Sequence, residues 1–236
     1  MEEIRINKYL ASLGVASRRA VDKMIEEGRI KVNGVVISAG IKVTDSDVIE
    51  INGKKVSKTE GKKVYYMLNK PLDVISASSD DRGRKTVVDL IRCKERIFPI
   101  GRLDYNTTGL ILLTNDGELF NKIIHPRAEL YKTYRVKVLG EIKDLAIEKL
   151  EKGVELEDGM TLPAIVKVLK REKGKSELEI SIREGRNRQV RRMLDKVNTP
   201  VITLKREKVG NLSLGKLKLG EYRKLTDEEI KYLYSL

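Results

Sequence analysis

The stretch GRLDYNTTGLILLTNDGE, residues 101–118, joins a polar loop to an apolar run and is the most distinctive segment of the chain. The loop is rich in Gly, Thr and Asn and contains one acid, Asp104. Loops held by rigid strands often carry catalytic side chains, so Asp104 is a candidate catalytic group. The alternative is that Asp104 only caps a turn, as aspartate commonly does. The run Leu110–Thr114 predicts a buried strand, and Glu118–Ile124 predicts a helix after the Asn-Asp-Gly turn.

The segments around this stretch predict a sheet-rich unit that begins at Val64. Apolar runs and alternating patterns indicate strands at 64–68, 133–139, 164–169, 177–182, 201–205 and 217–219. Helical spacing indicates helices at 144–153 and 187–197 and a C-terminal helix that begins near Thr226. This order of elements predicts an α+β fold with a mixed, mostly antiparallel sheet.

Residues 1–59 predict a smaller unit in which two helices precede a set of strands. Apolar residues from Ile6 to Leu13 recur at helical spacing, and Ser17 is a candidate cap for a second helix. The Asn33-Gly34 pair lies between alternating residues and predicts a tight β-hairpin. Because the segment that follows is polar and lacks periodicity, we predict a linker at 60–63 and a second domain at 64–236.

The composition excludes several classes of site. The 236 residues include one cysteine, Cys93, which excludes a disulfide within the chain and a cysteine-only zinc site. The single histidine, His125, excludes a histidine-rich metal site. Neither a dinucleotide fingerprint nor a P-loop occurs, so we expect no cofactor and no metal. Without a secretory signal or an apolar run that could cross a bilayer, we expect a cytoplasmic protein with no membrane partner.

Positive charge is concentrated in one part of the chain. Lys and Arg number 48 against 35 Asp and Glu, which gives a formal net charge of +13. Residues 183–224 contain 13 cations and 4 acids, a net of +9, whereas residues 1–59 contain 11 and 8, a net of +3. A focused basic surface indicates a polyanionic partner, and nucleic acid is the first candidate.

The segment REGRNRQVRRM, residues 183–193, holds five arginines and one acid. In a helix Arg188, Arg191 and Arg192 share a face, and arginine binds phosphate through paired hydrogen bonds. The alternative is a solvated, salt-bridged helix face. Tyr134 lies on a predicted strand beside basic residues, where it either stacks on a nucleic-acid base or packs in the core.

Four motifs, taken in order, resemble those of the pseudouridine synthases. Residues 101–118 resemble the catalytic motif, and residues 183–193 resemble the later Arg-rich motif of the bacterial enzymes that modify ribosomal RNA. Asn69-Lys70-Pro71 and the run 132–136 match the other two motifs in order and spacing. Residues 1–59 resemble the small RNA-binding domain first named in ribosomal small-subunit protein four. The chain is most similar to the group of bacterial rRNA pseudouridine synthases that unites the RsuA and RluB types, and within it to the RluB type, which modifies large-subunit rRNA.

This resemblance implies that the protein isomerises uridine to pseudouridine within RNA without a cofactor or metal. The N1–C1′ bond breaks, the uracil turns, and C5 joins C1′. Asp104 is implied as the essential carboxylate, which either attacks the nucleotide covalently or takes the 2′ proton. Arg191 is implied as the basic residue that pairs with Asp104, with Arg192 as the second choice. Tyr134 is implied to stack on the detached uracil.

The resemblance also implies a set of RNA contacts. Arg102 matches a position that fills the gap left by a flipped nucleotide. Asp73 stands where the family usually has glycine, so the loop around it is expected to differ in shape. The other implied contacts are Arg18, Arg19, Arg29 and Lys31 in the N-terminal unit and Lys70, Arg186, Arg188, Gln189 and Arg192 in the second unit.

The expected substrate is large-subunit ribosomal RNA, and we expect the chain to be a monomer. Three alternatives stay open: an isomerase for small-subunit RNA, a non-catalytic rRNA-binding assembly factor, and a hydrolase that releases free uracil. The joint presence of Asp104, Tyr134 and Arg191 favours an active isomerase, because an inactive relative would often lose one of the three.

Overall fold

The computed structural model describes residues 3–57, 62–125 and 129–236. The chain forms two compact units: the first comprises residues 1–64, 93–96 and 115–117, and the second comprises the rest. The predicted linker at 60–63 lies partly outside the described residues, and the domain boundaries next to it stay a prediction. Within the described ranges, no helix is long and apolar enough to cross a membrane.

The first unit begins with two helices and continues with short strands. Strand β1 (Ile4–Arg5) leads into α1 (Ile6–Ser12), which is followed by α2 (Arg18–Glu26). The strands that follow are β2 (Ile30–Val32), β3 (Val35–Val36), β4 (Lys42–Val43), β5 (Ile49–Ile51) and β6 (Lys54–Lys55). Four of them form a sheet in the order β3-β2-β5-β6, and β1 pairs with β4.

Local sequence signals set the ends of these elements. The Ser17 hydroxyl oxygen accepts a hydrogen bond from the backbone N–H of Ala20 at 3.0 Å and so caps α2, as predicted. Asn33 and Gly34 have φ values of 51° and 83°, the left-handed conformation that a two-residue hairpin turn requires. The apolar faces of the helices pack on the strands in a core that contains Ile6, Leu10, Val21, Ile25 and Ile30.

The second unit contains most of the regular structure. Its strands are β7 (Tyr65–Lys70), β8 (Phe98–Ile100), β9 (Thr108–Thr114), β10 (Lys132–Leu139), β11 (Glu155–Leu156), β12 (Gly159–Met160), β13 (Ile165–Glu172), β14 (Lys175–Ile182), β15 (Val201–Val209), β16 (Leu212–Ser213) and β17 (Tyr222–Lys224). Its helices are α3 (Gly117–Ile124), α4 (Asp144–Lys152), α5 (Gln189–Lys196) and α6 (Asp227–Ser235).

Nine of these strands form one sheet. Its main path is β13-β14-β10-β15-β9-β7-β17, with β8 beside β9 and β16 beside β15. In the part of the sheet that the structure describes, β9 and β15 run parallel and the other pairs are antiparallel. The fold class is therefore α+β with a mostly antiparallel sheet, as predicted. A buried cluster of Met67, Leu110, Leu112, Leu119 and Leu233 joins the sheet to α3 and α6.

Gly109 marks the point where β9 meets β15. It pairs with Arg206 and has a φ of +114°, and a Cβ atom at this position would lie 2.2 Å from the carbonyl oxygen of Arg206. Only glycine permits this backbone conformation together with so short a distance between the backbones of residues 109 and 206. The strand that follows the Asp104 loop can therefore lie directly against β15.

Some sequence predictions of strands differ from the structure. The strand predicted at 217–219 is wrong, because the carbonyl oxygen of Leu217 accepts a hydrogen bond from the Asn69 side chain and the backbone N–H of Gly220 donates to Asn69. The chain turns there and forms β17 afterwards. Strand β8 and the hairpin β11–β12 are not among the predicted strands, because strands of two or three residues are too short to show an alternating pattern.

Candidate active site

The Asp104 loop connects β8 to β9 and contains a tight backbone turn. The backbone N–H of Thr107 donates to the carbonyl oxygen of Asp104 at 3.0 Å. Asp104 is half-buried and lines a cavity of about 770 Å³. A carboxylate on a folded loop at a cavity wall can approach a bound substrate without the loop having to reorganise.

Lys70, at the end of β7, binds the backbone of this loop. Its side chain has 0% exposure, and its ammonium donates to the carbonyl oxygens of Pro71, Asp104 and Thr107 at 3.0, 3.2 and 3.0 Å. Burial lowers the pKa of this ammonium to about 8, although Asp104 and Asp73 attract the charge and act in the opposite direction. The side chain has no exposed surface, and its three N–H groups bind Pro71 and two residues of the loop, which gives Lys70 a positioning role in this structure. Its contact with RNA stays a prediction.

A second segment holds the loop through reciprocal hydrogen bonds. The Ser76 hydroxyl donates to the carbonyl oxygen of Leu103 at 2.8 Å and accepts from the Leu103 backbone N–H at 3.0 Å. The backbone N–H of Asp73 donates to Tyr105 at 3.1 Å. Asp73 has a φ of +59°, a left-handed conformation that suits glycine and that aspartate tolerates better than most residues. This conformation suits the glycine that the family resemblance implies at this position, and Asp73 adopts it here.

Arg191, on α5, is the third residue that binds the loop. Its side chain is 8% exposed, and its Nη2 donates to the carbonyl oxygen of Asn106 at 2.7 Å. Burial lowers the pKa of the guanidinium, while Asp104 attracts its charge. No ion pair forms between Arg191 and Asp104 within the described residues, so the expected direct pairing is replaced by a contact two residues further along the loop. The buried Nε of Arg191 has no hydrogen-bond partner there.

Tyr134 lies on β10 with its side chain 8% exposed and lines the same cavity as Asp104. Its partners across the sheet are Ile180 on β14 and Arg206 on β15. Arg206 is buried and donates from Nε to the carbonyl oxygen of Leu110 at 2.8 Å. The aromatic ring is thus held in a packed position from which it faces the cavity.

Arg102 and Arg188 are at the mouth of the cavity. Both side chains are exposed, and both line the cavity. Arg188 precedes α5 with a φ of +48°, and its Nη1 lies 3.3 Å from the side-chain oxygen of Asn106. These two guanidinium groups are available to a nucleic-acid backbone.

Arg186 and Arg192 bind the hairpin β11–β12, and Gln189 binds Glu184. The Arg192 guanidinium donates to both carboxylate oxygens of Asp158, at 2.8 and 3.0 Å. Arg186 donates to the carbonyl oxygens of residues 158–160 and to Glu184, and the Gln189 amide also binds Glu184. These hydrogen bonds occupy part of the donors of the three side chains, and their contacts with RNA stay a prediction.

The cavity brings together only part of the predicted set. Of the predicted residues, its lining includes Arg102, Asp104, Tyr134, Arg186, Arg188 and Gln189. Lys70, Arg191 and Arg192 support the surrounding walls. Ser76 and Asp158 are not among the predicted residues. Their partners, Leu103 and Arg192, lie 27 and 34 residues away along the chain, and a local sequence pattern does not predict such contacts.

The predicted RNA contacts of the first unit lie on its own surface. They are Arg18 and Arg19 in the first turn of α2, Arg29 before β2 and Lys31 on β2, and all four are exposed. Arg29 donates to Glu27 and to Asn52, each at 2.9 Å, so its guanidinium is partly engaged.

Comparison with known proteins gives two family matches. Residues 64–196 match the RNA pseudouridylate synthase family, and residues 4–49 match the S4 domain.

Individual relatives extend these matches over nearly the whole chain. The ribosomal large subunit pseudouridine synthase B of Bacillus subtilis (strain 168) is 51% identical over 236 residues, which cover 98% of this chain and 96% of the relative. The dual-specificity RNA pseudouridine synthase RluF of Salmonella typhi is 38% identical and covers 98% of this chain and 79% of the relative. A crystal structure of a pseudouridylate synthase superposes with a TM-score of 0.71 at 29% identity and covers 98% of this chain and 99% of that one.

Proposed function

This chain belongs to the RNA pseudouridylate synthase family, and on that premise we propose that it isomerises uridine to pseudouridine in ribosomal RNA of the large subunit. The protein is an isomerase with an S4 domain at its N-terminal side. The observation that carries the choice of subunit is the 51% identity, over 98% of the chain, to a large subunit pseudouridine synthase B.

The proposed chemistry uses Asp104 as the reacting carboxylate. When the N1–C1′ bond breaks, positive charge develops at C1′, and a carboxylate stabilises this charge or bonds to it. Tyr134, which lines the same cavity, stacks on the detached uracil and keeps it in place until C5 bonds to C1′. Arg191 acts on Asp104 from a distance and fixes the loop through Asn106.

We propose that the target uridine leaves its stack and enters the cavity. Arg102 occupies the gap that the uridine leaves, and Arg188 contacts the neighbouring phosphates. Unstacking costs a few kcal/mol, which these contacts offset. In the first unit Arg18, Arg19, Arg29 and Lys31 grip a structured RNA segment beside the target. The protein acts as a monomer in the cytoplasm, where ribosomal RNA is found.

The experiment is to incubate the purified protein with unmodified transcripts of small- and large-subunit rRNA. Pseudouridine is then mapped by carbodiimide-dependent stops of reverse transcription. We expect one new stop, on the large-subunit transcript, and its loss with Asp104→Asn, which removes the charge but little volume. RNA binding by Asp104→Asn should stay near that of the wild type.

The other outcomes separate the alternatives. A stop found only on the small-subunit transcript would overturn the choice of substrate RNA. Release of free uracil would indicate a hydrolase. Tight binding without a stop on either transcript would contradict the isomerase acting on free RNA, and an active Asp104→Asn variant would refute the role of this carboxylate.

A further inference from the structure

Lys132 is a cavity residue to which the mechanism above gives no role. It is the first residue of β10 and stands two positions before Tyr134. Side chains two residues apart point to the same face of a strand and stand about 6.5 to 7 Å apart along it. Both residues line the cavity, and Val136 and Val138 continue this buried face.

The neighbours of Lys132 on the two adjacent strands are apolar. Its partners across the sheet are Ile182 on β14 and Val209 on β15, and both are buried and line the cavity. Its ammonium also lies beside Gly185, where a Cβ atom would be 3.8 Å from Nζ. A side chain larger than that of glycine would narrow the space around this ammonium.

The charge of Lys132 is not compensated by a direct partner. Within the described ranges its ammonium forms neither a hydrogen bond nor an ion pair. Burial lowers its pKa, Arg206 lowers it further, and Glu184 acts in the opposite direction. The Glu184 carboxylate itself is engaged by Arg186, Gln189 and the backbone of residue 162.

A half-buried ammonium without a partner is costly unless a ligand completes its surroundings. We propose that Lys132 is a catalytic residue that donates a hydrogen bond to the uracil ring as it detaches and stabilises the negative charge on the leaving base. This inference rests on the proposed isomerisation. In that reaction Asp104 stabilises the positive charge at C1′, and Lys132 stabilises the negative charge on the leaving uracil.

The electron balance of the step explains the need for a cation. When the N1–C1′ bond breaks, its electron pair stays on the uracil, and the negative charge spreads over N1, O2 and O4. Asp104 stabilises C1′ and, being negative, cannot stabilise the base. Lys132 donates to a carbonyl oxygen of the ring without losing its proton. C5 then bonds to C1′, C5 loses a proton and N1 gains one, so Lys132 ends the cycle unchanged.

The site suits a base better than a phosphate. Lys132 has two apolar cross-strand neighbours, Ile182 and Val209, and lies on the same face as Tyr134, the residue proposed to stack on the uracil. A flat, polarisable ring carrying delocalised charge fits this setting.

The test is a comparison of Lys132→Met with the wild type in single turnovers at saturating RNA. Methionine keeps the length of the side chain and removes the charge. We expect a rate loss of about 10²-fold, the effect of deleting one donor to a developing negative charge. RNA affinity and the thermal midpoint should stay near those of the wild type. Lys137→Met is the matched control, since Lys137 lies on the exposed face of the same strand.

A substrate with a better leaving group gives the decisive readout. RNA with 5-fluorouridine at the target position carries a base whose N1 is more acidic, so its departure depends less on Lys132. The rate ratio of wild type to Lys132→Met should be smaller on this RNA, by about tenfold. The rate is followed as the loss of 5-fluorouridine on digestion and mass spectrometry. This loss reports the breaking of N1–C1′ and the bonding of C5 to C1′, whereas the final proton loss does not occur because C5 of this base carries fluorine. Lys132→Arg keeps the cation and should retain more of the rate than Lys132→Met.

Three outcomes would overturn the assignment. These are an unchanged rate in Lys132→Met, an equal rate ratio on the two RNAs, and a loss confined to RNA affinity, which would place Lys132 on a phosphate. If Lys132→Met unfolds, Lys132→Arg carries the test, and a rate as low as that of Asp104→Asn in a folded Lys132→Arg protein would also refute the assignment. A wild-type protein that forms no pseudouridine refutes the proposed function instead.

Discussion

Lys70 shows how one side chain can position a catalytic loop without touching a substrate. Its ammonium is fully buried and binds three carbonyl oxygens, one of them that of Asp104. Such a group is costly to bury as a cation, and burial lowers its pKa from 10.5 to about 8. The cost of this burial therefore depends on pH.

The substitution Lys70→Met should make this dependence visible. Methionine leaves three carbonyl oxygens without a donor, so the variant should lose about 1 to 3 kcal/mol of unfolding free energy at neutral pH. Between pH 8 and 10.5 the unfolded wild type binds more protons at Lys70 than the folded protein does. Wild-type stability should therefore rise relative to the variant in that window, by at most about 1.4 kcal/mol per pH unit. Denaturant unfolding from neutral pH to pH 10.5 measures both effects. If the difference in unfolding free energy between wild type and variant stayed constant with pH, the lowered pKa of Lys70 would be contradicted.

Individual residues differ in how far sequence alone can assign them. The motif and the strand pattern locate Asp104 and Tyr134, and both line the cavity. Lys70 is assigned to RNA only through the resemblance of Asn69-Lys70-Pro71 to a family motif. Its true surroundings come from residues 34 and 37 positions away, which no local pattern specifies.

At the scale of elements, the hairpin β11–β12 is fastened to α5 by Asp158. This residue binds the Arg192 guanidinium through both oxygens, and Arg186 donates to carbonyl oxygens of the same turn. Arg186 and the nearby Leu162 are part of the cavity wall. The arginines of this segment thus shape the cavity through the hairpin.

The substitution Asp158→Ala should weaken RNA binding a few-fold, because the released hairpin no longer forms a fixed wall. If Asp158 only competes with phosphate for Arg192, the variant should bind RNA more tightly, because removal of the carboxylate frees the Arg192 guanidinium. Binding titrations at several salt concentrations distinguish the two cases. Arg192→Ala alone and combined with Asp158→Ala should give similar, non-additive losses. Additive losses, or tighter binding by Asp158→Ala, would contradict the role of the hairpin.

The close parallel pairing of β9 with β15 at Gly109 leads to a second prediction at this scale. Gly109→Ala places a methyl group 2.2 Å from the Arg206 carbonyl oxygen at a φ of +114°. We expect a loss of about 3 kcal/mol or more, since the backbone must move to relieve the overlap. Gly117→Ala is the control. The added Cβ meets no atom within 4 Å, and residue 117 is the first residue of α3. Similar midpoints for both variants in thermal unfolding would contradict this account.

The elements are predicted well where strong local signals exist. Ser17 and Thr226 cap α2 and α6 as predicted, and the Asn33-Gly34 hairpin forms. The strand predicted at 217–219 does not form, because contacts with Asn69 hold that segment in a turn. Alternation over a few residues cannot reveal such long-range contacts.

At the scale of the whole molecule, the second unit has its own core. Met67, Leu110, Leu119 and Leu233 belong to one buried cluster within it. A unit with a core of its own can fold without the remainder of the chain. Net charge also differs along the sequence, with the larger positive excess in residues 183–224.

Deletion of residues 1–59 should therefore leave a folded catalytic unit with weaker or less selective RNA binding. Circular dichroism and a cooperative thermal transition test the fold, and mapping of pseudouridine tests the site choice. Arg18→Ala combined with Arg19→Ala in the full chain is the companion variant and should reproduce part of the loss in affinity. A truncated protein without a cooperative transition would contradict the boundary at residue 59.

The anchoring of the Asp104 loop has a consequence for the timing of the modification. Lys70, Ser76 and Arg191 hold the loop from three directions before any RNA arrives. The structural rearrangement that precedes the reaction then belongs to the RNA, and the slow event is the opening of the helix or stack around the target uridine. Modification should accordingly occur during the interval of ribosome assembly in which that uridine is exposed. Each pseudouridine would be a permanent record that the RNA passed through this interval.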